Sequence, residues 1–303
     1  MILSKINLRF LSTILLLVAL LSCEDVIDVE VPTEEPRLNV NALIKVDISQ
    51  PFVPVEVKVS LTNNFFEEIP VTKAESIVIL MEELDEDGIV VRSFSSSLAE
   101  KVPNTGIYVP DPNFSSDQRI PTVILQDNID FSLIIRHNGH TYLAKTKYVP
   151  TNPIDTILQG NGSLFSGDET EVIVTFTDDF VRDDFYLFDF DFGEYLVTED
   201  EFYKGQQFEF SYFYDREFES GRELEISIVG VDEELYNYMN QLIVQSGETQ
   251  GPFQTPVATV RGNIFDVTNL DNIDVFDNVD QPNVFPLGYF GIVQEYKRTL
   301  TIK

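Results

Sequence analysis

Two histidines, His137 and His140, are the only ones in the chain, and they flank the turn sequence HNGH. Two imidazoles this close together are candidates for a shared metal or for general-base chemistry. Asn-Gly is also typical of a tight hairpin turn, which gives both histidines a structural reason to be there. No serine lies in a GxSxG frame, and neither a P-loop nor a dinucleotide fingerprint occurs. The residue types therefore favour a protein that is not an enzyme.

Paired carboxylates are the remaining catalytic option, because the chain holds 51 Asp and Glu residues. Glycoside hydrolysis needs two carboxylates about 5–10 Å apart. The sequence singles out no such pair, and there is no tryptophan to stack on a sugar. A carboxylate-pair hydrolase acting on an extracellular polymer is kept as an alternative function.

An acidic segment, NLDNIDVFDNVD, is a candidate calcium site. Oxygen ligands at short spacing suit calcium, but the central glycine and terminal glutamate of an EF-hand are absent. A solvated acidic loop is the favoured interpretation, and no other metal or cofactor is expected. The candidate ligands fall at every third position and are Asp271, Asp274, Asp277 and Asp280.

The single cysteine, Cys23, follows two basic residues and the uncharged run Phe10–Leu21. That run is too short to span a membrane and is typical of a secretory signal peptide, here residues 1–22. LLSC resembles the bacterial lipobox, in which the cysteine becomes the acylated N-terminus. Two or three acyl chains give stable attachment, since each buried methylene contributes about 0.8 kcal/mol. The sequence predicts that Cys23 is a lipid anchor.

The residues after Cys23 form an acidic stretch, EDVIDVE, within a predicted tether at residues 23–36. An acidic stretch at this position is similar to the signal that exports Bacteroidota lipoproteins to the outer face of the outer membrane. The alternative interpretation is a solvated tether kept extended by its charge, on a protein of the periplasmic face.

The composition restricts the partners of the protein. With 20 basic and 51 acidic residues, the net charge of −31 excludes a nucleic-acid-binding protein, which needs clustered Lys and Arg. A hydrophobic content of 43%, with 24 Phe and 12 Tyr, is ample for a folded core. One cysteine allows no internal disulfide, so packing alone must stabilise the fold.

The first predicted domain, residues 37–150, has the two-residue alternation of half-buried strands. PVEVKVSLTN places valines on one face and polar residues on the other. Two hairpins are predicted, one turning at Asp85–Gly88 and one at His137–His140. Several short strands without a helical period predict an antiparallel, Ig-like β-sandwich.

The second predicted domain, residues 151–303, is β-rich with one helix near 231–247, where Leu235, Met239, Leu242 and Ile243 recur at helical spacing. FYLFDFDFG and QFEFSYFYD alternate aromatic and polar residues, and we expect them to pair across a sheet or, through their tyrosines, to meet a partner. Asp155-Thr156-Ile157 resembles a short Bacteroidota O-glycosylation motif, which makes Thr156 a candidate glycosylation site.

The order of several segments resembles the Bacteroidota lipoprotein family catalogued as domain of unknown function 4249. These are the lipobox with its acidic tail, LNVNALI, VPVEVKVSLTNN, YLAKTKYVPTNPIDTI, YNYMNQLIVQ, PFQTPVATVRGNI and LGYFGIV. The resemblance implies an outer-membrane lipoprotein, often encoded beside a TonB-dependent receptor, and supplies no catalytic residues. We expect a non-enzymatic, ligand-binding or accessory partner of such a transporter in nutrient uptake. An adhesin or structural surface lipoprotein is the other alternative.

Overall fold

A computed structural model describes residues 36–63, 70–164, 167–246, 259–270 and 285–303. The predicted mainly β class with one helix is confirmed, as a large sheet plus a second small sheet. The described residues hold one α-helix, α1 (Glu233–Ser246). The strands are β1 (Leu38–Val46), β2 (Val57–Leu61), β3 (Ser76–Leu84), β4 (Val90–Glu100), β5 (Ile107–Pro110), β6 (Ile129–His137), β7 (His140–Val149), β8 (Ile154–Gln159), β9 (Thr170–Thr177), β10 (Phe185–Asp189), β11 (Tyr195–Glu199), β12 (Gln207–Tyr214), β13 (Glu223–Val231), β14 (Ile264–Asp266) and β15 (Leu287–Thr301).

The strands up to β7 close into a ring only because β15 returns from the other end of the chain. Neighbouring strands follow the order β15-β1-β2-β5-β4-β3-β6-β7, and β7 pairs with β15 again. Both pairings of β15 in this ring, with β1 and with β7, are parallel. The alternation predicted for β2 is present, since Val57 and Val59 are buried inside the ring.

The second half of β15 continues into another set of strands. From Glu295 to Thr301 it pairs with β13, which pairs with β10, which pairs with β11. A separate three-stranded sheet, in the order β12-β9-β8, packs against these strands. Strands from both sides of residue 150 therefore share β15.

The aromatic strands lie in two different sheets, which corrects the expectation that they pair within one. β10 belongs to the large sheet and β12 to the small one, and their aromatic rings contact one another between the two sheets. Phe188 lies 5.0 Å from Phe210, and the rings of Phe190 and Tyr212 stack at 3.8 Å. Alternation assigns these side chains to one face, but it does not say which strand lies opposite. Phe188 and Phe190 are fully buried, so they are core residues.

The two hairpin turns and the start of the helix form where the local sequence predicts them. The turn after β3 uses the Asp85 carboxylate as an acceptor for the Asp87 and Ile89 N–H groups, with Gly88 at positive φ. Asn138 and Gly139 also take positive φ, as a two-residue hairpin turn requires. Helix α1 begins after Asp232, whose carboxylate accepts the Leu235 N–H at 2.8 Å. No helix in the described part of the chain is long and apolar enough to cross a membrane.

The buried tyrosines make alkaline lability a testable consequence of this core. Burial raises the pKa of Tyr142 and Tyr148 to about 12 and raises the pKa of Tyr203 and Tyr214 as well. A tyrosine in the unfolded chain titrates near pH 10, so the folded state holds these protons more tightly. This stabilisation is complete below pH 10 and is lost as the pH rises through 12.

We expect the urea midpoint of unfolding to change little between pH 8 and 9.5 and to fall steeply above pH 10. Tyrosinate absorbance should appear together with the loss of far-ultraviolet strand signal. Ionisation of Tyr142 or Tyr148 at pH 10 in a still-folded protein, followed through the ring resonances of each residue, would contradict the assigned burial.

Candidate functional site

A cleft of about 700 Å³ opens at the end of the ring where β1 and β7 finish. Its volume lies within the range of about 300–1,000 Å³ found for small-molecule sites. Among the described residues that line it, no side chain carries a formal charge, in a chain with a net charge of −31. The lining residues are Ile48, Gln50, Pro51, Thr122, Val123, Leu125, Gln126, Tyr148, Pro150 and Gln294.

One wall is made by two loop segments that backbone hydrogen bonds hold together. The Thr122 N–H donates to the Pro51 carbonyl at 3.1 Å, and the Val53 N–H donates to the Ile120 carbonyl at 2.9 Å. Residues 122–126 form a single 3₁₀ turn that begins directly after Pro121. Val123 lies on this turn and is 69% exposed beside the cleft.

The other wall is fixed through a buried amide on β15. Gln294 is only 4% exposed, and its Oε1 accepts the Thr151 N–H at 2.9 Å. Its Nε2 donates to the Tyr296 hydroxyl at 2.8 Å. Both ends of the amide are therefore used, so Gln294 positions the Pro150 segment.

Two hydroxyls contribute to the polar character of the cleft. Burial, aided by the neighbouring Tyr296, raises the pKa of Tyr148 to about 12, while Arg182 opposes the shift. Tyr148 is thus a neutral phenol at physiological pH. The Oγ1 atom of Thr122 is buried and has no hydrogen-bond partner among the described residues. A buried hydroxyl without a partner costs about 1–3 kcal/mol, so a polar group brought next to it would be favourable.

The chemistry of this cleft suits the binding of an uncharged ligand. It combines aliphatic walls, one aromatic ring and neutral hydrogen-bonding groups, which suits an uncharged ligand with polar substituents. The lining residues that the structure describes include neither a nucleophile beside a base nor a pair of carboxylates.

A second, smaller pocket of about 280 Å³ lies between α1 and the strands β1 and β15. Lys45 lies at its edge, with its Nζ 2.8 Å from Asp189 Oδ2 and 3.2 Å from Glu295 Oε1. Burial lowers the pKa of Lys45, but the hydrogen bond to Asp189 and the charge of Glu295 outweigh it and raise the pKa overall. The lysine charge is therefore satisfied within the protein, and we favour the larger cleft as the candidate site.

The two predicted histidine candidates have separate environments. His137 is buried, and its Nε2 lies 2.7 Å from the Thr72 hydroxyl. Burial lowers its pKa, against the influence of Glu75 and with that of His140. His140 is half exposed and pairs with Asp266 at 2.7 Å. Across the described ranges, no group of three or more His, Cys, Asp or Glu residues is placed to hold a metal ion.

The other predicted site residues fall in two classes. Thr156 lies on β8 opposite Thr175, with its side chain exposed. Cys23 and the acidic candidates Asp271, Asp274, Asp277 and Asp280 lie outside the described residues. Sequence analysis missed the cleft entirely, because its residues come from four separate segments and form no motif.

The comparisons with known proteins give one finding. The model of a family described as "Domain of unknown function (DUF4249)" matches residues 24–299. No curated protein matches the chain.

Proposed function

The chain belongs to this DUF4249 family, and we propose that it is a lipid-anchored outer-membrane lipoprotein that binds an uncharged ligand as the accessory partner of a TonB-dependent transporter. The observation that carries the binding role is the 700 Å³ cleft without a charged side chain. The anchoring role rests on Cys23 and its flanks, and the acidic stretch after Cys23 supports an exterior location on a Bacteroidota cell. We propose no catalytic activity.

The transporter partnership is tested by purifying the tagged, full-length protein from mildly solubilised outer membranes. We expect a TonB-dependent receptor to co-purify in stoichiometric amount. Recovery of the protein alone, at matched expression and from cells grown on several nutrients, would favour the adhesin or structural role instead.

The ligand cleft is tested with the substitution Val123→Asp. Val123 is largely exposed, so the change should leave the fold intact while placing a charge on an apolar wall. A panel of neutral oligosaccharides and uncharged peptides is first screened for binding to the unmodified protein by native mass spectrometry. For the best-binding members, we expect Val123→Asp to reduce retention at least tenfold.

The matched control is Val102→Asp, which adds the same charge at a 54% exposed valine outside the cleft. Equal retention by both variants would place the ligand elsewhere. Stronger retention of charged than of neutral members by the unmodified protein would overturn the ligand class.

A further inference from the structure

Among the residues that the structure describes, no strand pairs with the outer edge of β12. β12 pairs with β9 on one side only, in a regular antiparallel register from Gln207 to Tyr214. The Asp178 N–H donates to the Gln206 carbonyl, which sets the alternation of bonds between the two strands. The backbone groups of every second residue therefore point away from β9. No described residue bonds these outward groups, which belong to Gln207, Glu209, Ser211 and Phe213.

Natural edge strands are usually short, bulged, covered or rich in charge, because open edges invite pairing with another chain. β12 has eight residues, no register shift and a single charged residue, Glu209. The aromatic side chains on its inner face are only partly buried, namely Phe208, Phe210 and Tyr212. The aromatic core is therefore partly exposed to solvent along the same edge at which the backbone groups of β12 are unpaired among the described residues.

Exposed apolar side chains continue past the Gln207 end of β12. Phe180 and Phe202 are 77% and 85% exposed, and Val181 is 72% exposed. Phe180 lies against the turn that leads into β12, since a Cβ at Gly205 would lie 2.5 Å from the Cβ of Phe180. Contiguous exposed apolar residues of this size mark interaction surfaces.

The order of residues on β12 is complementary to itself. In an antiparallel pair of β12 strands centred on Phe210, Phe210 lies opposite its own copy and Phe208 lies opposite Tyr212. The outward residues then form the hydrogen-bonded pairs, with Glu209 opposite Ser211 rather than opposite another carboxylate. An antiparallel pair centred on Glu209 instead of Phe210 would still pair outward residues with outward residues. It would, however, place the two Glu209 carboxylates opposite each other.

We propose that two copies of this chain associate through β12, which joins their small sheets into one six-stranded sheet. The partly buried aromatic residues of both copies then complete one continuous core. This association is independent of the ligand cleft. Because the copies carry the same large negative charge, salt should strengthen the association by screening the repulsion.

The test compares Ser211→Pro with Ser211→Ala in the full chain, purified in mild detergent. Proline removes an N–H that points away from β9, so the bonds to β9 remain, whereas alanine keeps that N–H. By light scattering we expect a dimer for the unmodified chain and for Ser211→Ala, and at least a tenfold weaker dimer for Ser211→Pro. Raising the salt concentration should lower the dissociation constant of the unmodified chain.

A second measurement does not depend on proline. Phe210→Cys brings two cysteines together at the symmetry axis, at a separation of about 4.5 Å between Cα atoms that allows a disulfide. Oxidised membranes should show a cross-linked dimer for this variant and none for the control Leu158→Cys, an exposed residue on β8 of the same sheet.

Three outcomes would overturn the proposal. One is a dimer that Ser211→Pro leaves intact, and another is equal cross-linking by both cysteine variants. The third is an unmodified chain that is a monomer and co-purifies with a transporter, together with a Ser211→Pro variant that no longer does so. This result would assign the edge of β12 to a different protein. Loss of the transporter without loss of the dimer would instead contradict the proposed function alone.

Discussion

Replacing Cys23 with serine should move the protein from the outer-membrane fraction to the soluble fraction. A serine hydroxyl cannot replace the thiol that carries the diacylglycerol, so the mature chain would lose every acyl chain at once. Each buried methylene contributes about 0.8 kcal/mol, and stable attachment needs more than one chain. Immunoblots of fractionated cells and labelling with a palmitate analogue measure the two consequences separately.

The matched control is Ser22→Ala, which keeps a small residue before Cys23 and should leave both readouts unchanged. Labelling that persists in Cys23→Ser would show that acylation occurs elsewhere. A variant that loses the label but stays in the membrane fraction would be held by a protein partner, and salt extraction would release it. A membrane-impermeant reagent applied to intact cells then distinguishes the exterior face from the periplasmic one.

The local elements of the fold were predictable because each depends on residues close together in the chain. The alternation of PVEVKVSLTN predicts a half-buried strand, and β2 buries the same valines inside the ring. Asp85–Gly88 and Asn138-Gly139 predict hairpin turns that form as expected. The helix predicted near 231–247 is α1, Glu233–Ser246, because its apolar spacing and its acidic start act within a few turns.

The long-range arrangement was not predictable from the same patterns. PLGYFGIVQEYKRTLTIK predicts one or two closing strands, and nothing in it shows that one strand pairs in parallel with both β1 and β7. The strands with which β15 pairs are decided by the edges that remain unpaired after the earlier strands have assembled. That is a property of the whole fold and not of the local sequence. The same limit applies to the aromatic strands β10 and β12. The alternation predicted which side chains share a face, but not that the two strands lie in different sheets that pack against each other.

The candidate cleft is built from ordinary residues, and such a surface leaves no signal in one sequence. Its polar groups are amides and hydroxyls from separate segments, and the most distant two, Gln50 and Gln294, lie 244 residues apart along the chain. The two histidines flank a hairpin turn, where His137 contacts Thr72 and His140 contacts Asp266.

The largest loss of stability that we predict for a single methyl group is at Gly288, where β15 enters the ring. Gly288 pairs with Val40 and has a φ of +101°, in a region that other residues rarely adopt. A Cβ at this position would lie 1.8 Å from the Val40 carbonyl oxygen, which is backbone and cannot turn aside. Backbone strain of about 1–3 kcal/mol and overpacking of about 1–3 kcal/mol both apply.

We therefore expect Gly288→Ala to lower the free energy of unfolding by about 2–6 kcal/mol, against a typical total of about 5–15 kcal/mol. Urea unfolding followed by far-ultraviolet circular dichroism measures the change. The control is Gly291→Ala on the same strand, where the nearest atom is the Leu43 Cδ1 at 3.1 Å, the end of a flexible side chain. Equal effects of the two substitutions would contradict the pairing of Gly288 with Val40. A large effect of Gly288→Ala alone would support the close parallel pairing of β15 with β1, through which β15 closes the ring.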